Sequence, residues 1–132
     1  MSRHNVSSGS PFEPEIGFSR AVRIGNTISV SGTAPIGPDG QTVYSGNLYL
    51  QTKHCIAVML VAIGMAGGKL DDVIRTRIML RDVSQWREAA RAHREFFADV
   101  RPACTFIEVS AFIREDWLVE LEADCVLEPR SG

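Results

Sequence analysis

Residues 101–127 read RPACTFIEVSAFIREDWLVELEADCVL, and this stretch decides how the chain folds. Two runs, 105–111 and 118–126, alternate apolar and polar residues on either side of the charged connector Arg114-Glu115-Asp116. A period of two predicts strands. In the second run Val119, Leu121, Ala123 and Cys125 share one face. Glu120, Glu122 and Asp124 share the other with Leu118 and Val126. Three acids on one side of a strand face either water or a cleft, and the functional question turns on which.

Working outward, Pro102 blocks a helical pattern that runs from the Asp82 region to about Val100. Trp86, Ala89, Ala90, His93, Phe96, Phe97 and Val100 form its apolar stripe, and Arg87, Glu88, Arg91, Arg94 and Glu95 a solvated face with ion pairs. Asp82 is the expected N-cap, with Gln85 as capping-box partner. Before it, VIRTRIML (73–80) is a β-branched strand. Ile74, Thr76, Ile78 and Leu80 are expected to face the helices, and Val73, Arg75, Arg77 and Met79 to face away.

Residues 48–66 predict a further helix, with Cys55, Ile56, Met59, Leu60 and Ile63 on one face and Gly67-Gly68 as its stop. Its opposite face carries Ala57, Val58, Val61 and Gly64 where a solvated helix would carry charge. That predicts cover from another part of the chain or another subunit. Gly25-Asn26 predicts a tight hairpin within 21–32. Pro38-Asp39-Gly40 predicts a turn, and 43–45 a short edge strand. Two helices among five or six strands imply an α+β two-layer sandwich, a mixed sheet with both helices on one face. The other face needs a cover, and a second copy of the chain is the natural one.

A length of 132 residues suits one domain, placed at residues 15–130 after a flexible segment at 1–14. That segment is polar and lacks the apolar stretch of a signal peptide. The net charge of −2 offers no basic field for nucleic acid or an anionic membrane. The longest uncharged run, 55–68, is shorter than the roughly 20 residues of a membrane span. Three cysteines without C-x-x-C spacing argue against a disulfide framework or zinc knuckle and for a reducing cytoplasm. His4, His54 and His93 have no metal-ligand spacing, so no metal is expected.

Among candidate site residues, Glu120 suits water activation if partial desolvation raises its pKa. Its competing role is a solvated strand acid paired with an arginine. Cys104 would be a nucleophile if a positive neighbour such as Arg101 lowered its pKa, and otherwise a small space-filling thiol. Thr105 and the backbone beside it offer hydrogen bonds. Arg20, Arg101 and Arg114 are candidate anion grips, each more often a solvated charge. Phe18, Ile113 and Trp117 form either an apolar ligand wall or core. Ser31 and Gly32 suit a tight strand end rather than a nucleophile, for no serine lies in G-x-S-x-G.

Several segments together carry a resemblance: Ile16-Gly17-Phe18-Ser19-Arg20-Ala21-Val22, Val30-Ser31-Gly32-Thr33-Ala34-Pro35, Asp71-Asp72-Val73-Ile74-Arg75-Thr76, Phe96-Phe97, Pro102-Ala103, Ile107-Glu108-Val109 and Val119-Glu120-Leu121-Glu122-Ala123. In this order and spacing, over roughly 16–126, the chain resembles the Rid superfamily, also called the YjgF/YER057c/UK114 or endoribonuclease L-PSP family. The resemblance implies a chorismate-mutase-like fold and a homotrimer, with the sheets as a central β-barrel and ligand clefts between subunits. It implies hydrolysis of reactive enamines and imines with no metal or organic cofactor.

By the same resemblance Glu120 matches the acid that helps position water. Phe18 stands for a tyrosine, Ala90 for an asparagine, and Cys104 for the arginine that grips the substrate carboxylate. The implied role is a hydrolase or deaminase of imines, enamines or related carbonyl compounds, inefficient on 2-aminoacrylate. Glu120 is the expected catalytic residue. Phe18, Ser31, Gly32, Cys104, Thr105, Arg101, Arg114 and Trp117 are the expected contacts to a small molecule in the inter-subunit cleft. A non-catalytic role in binding a metabolite or partner protein is the alternative, and RNA cleavage the third.

Overall fold

The computed structural model describes residues 2–128. In chain order the elements are β1 (Arg3–Val6), α1 (Phe12–Ile16), β2 (Ala21–Ile24), β3 (Thr27–Thr33), α2 (Leu48–Met65), β4 (Val73–Leu80), α3 (Trp86–Phe97), β5 (Ala103–Glu108) and β6 (Val119–Val126). They form one six-stranded sheet in the order β1-β2-β3-β6-β4-β5. Only the β4–β5 pair is parallel, so the sheet is mixed. Helix α2 packs on β3, β6 and α3, giving the two-layer α+β arrangement expected from the pattern.

The alternation in β6 sorts the layers. Val119, Leu121, Ala123 and Cys125 are buried toward the helices with Ile56, Met59, Ile63, Ile78 and Leu80. Glu120, Glu122 and Asp124 lie half-buried on the other side. There Glu122 pairs with Arg77, and Asp124 accepts from Ser29 Oγ at 3.1 Å. Helix α2 starts where the Asn47 side chain accepts from the Leu50 N–H at 3.0 Å. It stops at Gly67, whose φ of +91° lets the Gly68 N–H reach back to the Ile63 carbonyl at 2.9 Å. By length and composition α2 could cross a membrane, but here one face is a core wall. Its outer face stays uncovered within the chain, with Val61 and Met65 more than half exposed.

Several local expectations are corrected. The segment expected to be flexible carries β1, which pairs with β2 and buries Val6, and α1, which buries Glu13. Residues 43–45 are not a strand; a single bridge joins Ile36 and Thr42. Strand β5 begins directly after Pro102 and ends at Glu108, earlier than the alternation implied. In β4 a bulge between Val73 and Arg75 reverses the first two residues, so Val73 is buried and Ile74 is exposed. Asp82 does cap, but it accepts from Ser84 in a 3-10 turn, Val83–Gln85, and Gln85 forms no capping box. That turn shifts the start of α3 to Trp86, which is 40% exposed, while Ala92 joins the core.

Candidate functional site

Strands β3 and β6 pair antiparallel, but the register slips between Val30 and Thr33. The extra residue falls at Ser31-Gly32 and turns the end of β3 away from the ladder. Beside it lies a cavity of about 410 Å³. Phe12, Ile16, Phe18, Ile36, Ile113 and Trp117 supply its apolar wall, and Ser10, Arg20, Ser31 and Glu120 its polar groups. A Cβ at Gly32 would lie 3.2 Å from Glu120 Oε1, so the missing side chain is what lets the carboxylate sit against β3.

Glu120 is half-buried, and burial pushes its carboxyl above the usual range, with the Arg20 charge opposing part of the rise. Arg20 is 4% exposed. Its Nη1 donates to the Gly32 carbonyl at 2.6 Å and to Thr33 Oγ1 at 3.1 Å, and its Nε to Ser8 Oγ at 3.3 Å. Burial lowers its pKa while the charges of Glu13 and Glu120 raise it. Glu13 is buried too; hydrogen bonds from Ser8 and Ser7 overcome the effect of burial and hold its carboxyl below the ordinary value. The Ser8 N–H and Oγ reach it at 3.1 and 2.6 Å. The N-terminal segment is thus tied to the site by a buried guanidinium and a buried carboxylate.

Trp117 is 2% exposed and meets Phe12 edge to face, ring centroids 5.8 Å apart. Its indole N–H is buried and finds no acceptor. The loop that carries it is fixed by Gln51, which is fully buried in α2. Gln51 Nε2 donates to the Asp116 and Val43 carbonyls at 3.0 and 3.2 Å, and its Oε1 accepts from the Leu118 N–H at 2.9 Å. One side chain therefore sets the loop before β6, the segment after Pro35 and the helix in mutual register.

The expected site residues divide into two groups. Phe18, Ser31, Gly32, Trp117 and Glu120 come together at the cavity, with Arg20 and Ile113. Arg114 does not line it: its guanidinium sits behind the wall, 5.2 and 5.8 Å from the Phe12 and Trp117 ring centroids, and donates to the Gly40 carbonyl at 2.8 Å. Cys104 and Thr105 lie on β5, two strands from β6 and about 10 Å across the sheet. Cys104 is an exposed thiol there. Arg101 precedes β5 with a φ of +53° and donates to the Ala98 carbonyl at 3.2 Å. Within one chain these three are separate from the cavity. Among the described residues, no three His, Cys, Asp or Glu side chains cluster as metal ligands would.

Glu13, Phe12 and Gln51 were not evident from sequence. Their roles come from chain-distant partners, and only Gln51 carries a local signal, lying four residues before Cys55 and so on the same face of α2.

Comparison with known proteins agrees with this architecture. The family model described as endoribonuclease L-PSP matches residues 9–127. An uncharacterised protein of Streptomyces coelicolor is 38% identical over 90% of this chain and 88% of its own. The 3-aminoacrylate deaminase RutC of Acinetobacter baylyi is 29% identical over 88% of this chain and 90% of its own. The crystal structure of a member of the YjgF/YER057c/UK114 family from Mycobacterium tuberculosis superposes with a TM-score of 0.85 at 43% identity, covering 96% of this chain and all of that one.

Proposed function

The chain belongs to the endoribonuclease L-PSP (YjgF/YER057c/UK114, or Rid) family, and from that premise we propose that it is a cofactor-independent hydrolase or deaminase of an imine, enamine or related carbonyl compound. The observation that carries this reading is Glu120: a half-buried carboxylate at an apolar cavity, its proton affinity raised by burial. A base of that kind accepts a proton near neutral pH better than a solvated one. The name of the Acinetobacter relative, a deaminase of an enamine acid, supports the same class of chemistry.

In the proposed step Glu120 accepts a proton from water as the water oxygen bonds to the imine carbon. The C=N electron pair moves to nitrogen and gives a carbinolamine. Glu120 returns the proton to that nitrogen, then relays the hydroxyl proton to it as the C–N bond breaks, so that ammonia leaves and the hydroxyl oxygen becomes the carbonyl oxygen of the product. The protein works as a homotrimer in which β5 of a neighbouring copy closes the cavity. That edge brings Cys104 where the family's best-known members bring a carboxylate-gripping arginine, so turnover of 2-aminoacrylate is expected near background.

The test is hydrolysis of imines generated in situ by the wild type and by Glu120→Gln. Loss of the general base should lower the rate by about 10²- to 10⁴-fold. Equal rates for the two would end the hydrolase reading and leave a binding protein, a role that the cysteine in place of arginine also favours.

A further inference from the structure

The charge and shape of the cavity select a ligand class, an inference that rests on reading the cavity as the reaction site. Arg20 is the one cation among the described residues lining it, and its Nη1 and Nε are already turned to the protein, to Gly32, Thr33 and Ser8. Its charge also feels two carboxylates, the buried Glu13, itself held by Ser8 and Ser10, and Glu120. Two acids, Glu13 and Glu120, thus stand against one cation, and Glu120 is the acid that lines the cavity. A ligand carboxylate entering here would meet a guanidinium largely turned to the protein and would face a like charge in Glu120.

The walls point the same way. Seven apolar side chains, three of them aromatic, line about 410 Å³. An apolar cavity of about 150 Å³ already accepts a benzene ring, so a ring and a reacting group both fit. Trp117 belongs to this wall, and its buried indole N–H has no acceptor among the described residues.

We propose that the site takes an imine or amine bearing a bulky apolar group and no carboxylate, its protonated nitrogen set against Glu120 and its apolar group against Phe12, Phe18 and Trp117. Imines of the small amino-acid-derived kind, defined by their carboxylate, are disfavoured by the same arrangement.

The two tryptophans make the test direct. Trp86→Phe leaves Trp117 as the sole indole reporter, and Trp86 lies outside the cavity, against Phe106. Benzylamine, benzyl alcohol and benzoate share one ring and differ in charge. Titrated at pH 7.5, benzylamine should shift Trp117 emission saturably, with benzoate weaker by more than about tenfold. Glu120→Gln should bring benzylamine close to benzyl alcohol. Ile113→Arg, at a rim position 66% exposed, should raise benzoate affinity at the expense of benzylamine. Benzoate binding as tightly as benzylamine, or no saturable response to any of the three, would overturn the inference. Binding is read here without turnover, so the two readings fail separately. Glu120-dependent hydrolysis confined to carboxylated imines would keep the hydrolase and sink this ligand class. Amine-selective binding without hydrolysis would do the reverse.

Discussion

Two carboxylates within reach of one arginine are driven in opposite directions by their surroundings. Glu120 is desolvated with few donors turned toward it, so its charged form is penalised and its pKa rises. Glu13 is buried as well, but Ser7, Ser8 and Ser10 donate to it, and its charged form is favoured. Linkage then gives opposite signs. The stabilisation from Glu13 is present above the ordinary value of 4.5 and is lost as pH falls through its lower folded pKa. The cost of ionised Glu120 is present above its raised folded pKa and disappears as pH falls below 4.5. Melting curves between pH 3 and 8 check this. Glu13→Gln should destabilise at pH 7 by about 1.5–3 kcal/mol, the usual worth of hydrogen bonds to a charged group, and by less in acid. Glu120→Gln should raise the melting temperature at pH 8 and lose that advantage near pH 4. Matching pH dependence in the two variants would mean that their environments do not differ as described.

At the scale of elements, what the sequence made legible follows periodicity. Helix α2, the hairpin of β2 and β3, and the two faces of β6 all bury a repeating set of side chains, and each was readable. Strand β1 was not, because Arg3-His4-Asn5-Val6 buries one side chain only and its place is set by backbone pairing with β2. The bulges in β3 and β4 were hidden for a related reason, since a register slip is a property of two strands and not of one. The same division runs through the site. Glu120, Phe18 and Trp117 were visible as residues, while Glu13 and Gln51 acquire their roles through contacts far along the chain. Helix termination, by contrast, is local and legible. Gly67 has a φ of +91°, and a Cβ there would lie 2.5 Å from Arg23 Nη1, which donates to the Ala66 carbonyl at 2.8 Å. Gly67→Ala should therefore cost about 1–2 kcal/mol in denaturant unfolding, the penalty of a left-handed side chain, plus the displacement of Arg23. In an Arg23→Ala background the second part should vanish. An unchanged cost there would mean that the backbone conformation alone matters.

On the scale of the whole molecule, a one-sided sheet leaves two features that a single chain does not satisfy. One is the face opposite the helices, where Arg75 is exposed and Arg77, Met79 and Glu122 are half-covered. The other is β5, which pairs with β4 alone and so presents an unpaired edge with Ala103, Cys104 and Thr105 exposed. Unpaired edges are normally blocked, twisted or covered, and the polar open face beside β5 does none of these within the chain. If three copies close around this face, as proposed, then β5 and the cavity's open side become one interface. Hydrogen exchange separates the cases. In a monomer the β5 amides turned away from β4 exchange quickly at every concentration, while those of β6, paired on both sides, remain slow. In the assembly, β5 protection rises with protein concentration and follows the appearance, in native mass spectrometry, of a species three times the chain mass. Cys104 supplies an independent reading, because alkylation of this exposed thiol should slow in step with β5 protection while the buried Cys55 stays unreactive throughout. A monomeric mass with concentration-independent β5 exchange would remove the trimer and leave the cavity open on one side, and the ligand preference would then rest on Arg20, Glu13, Glu120 and the aromatic wall of a single chain.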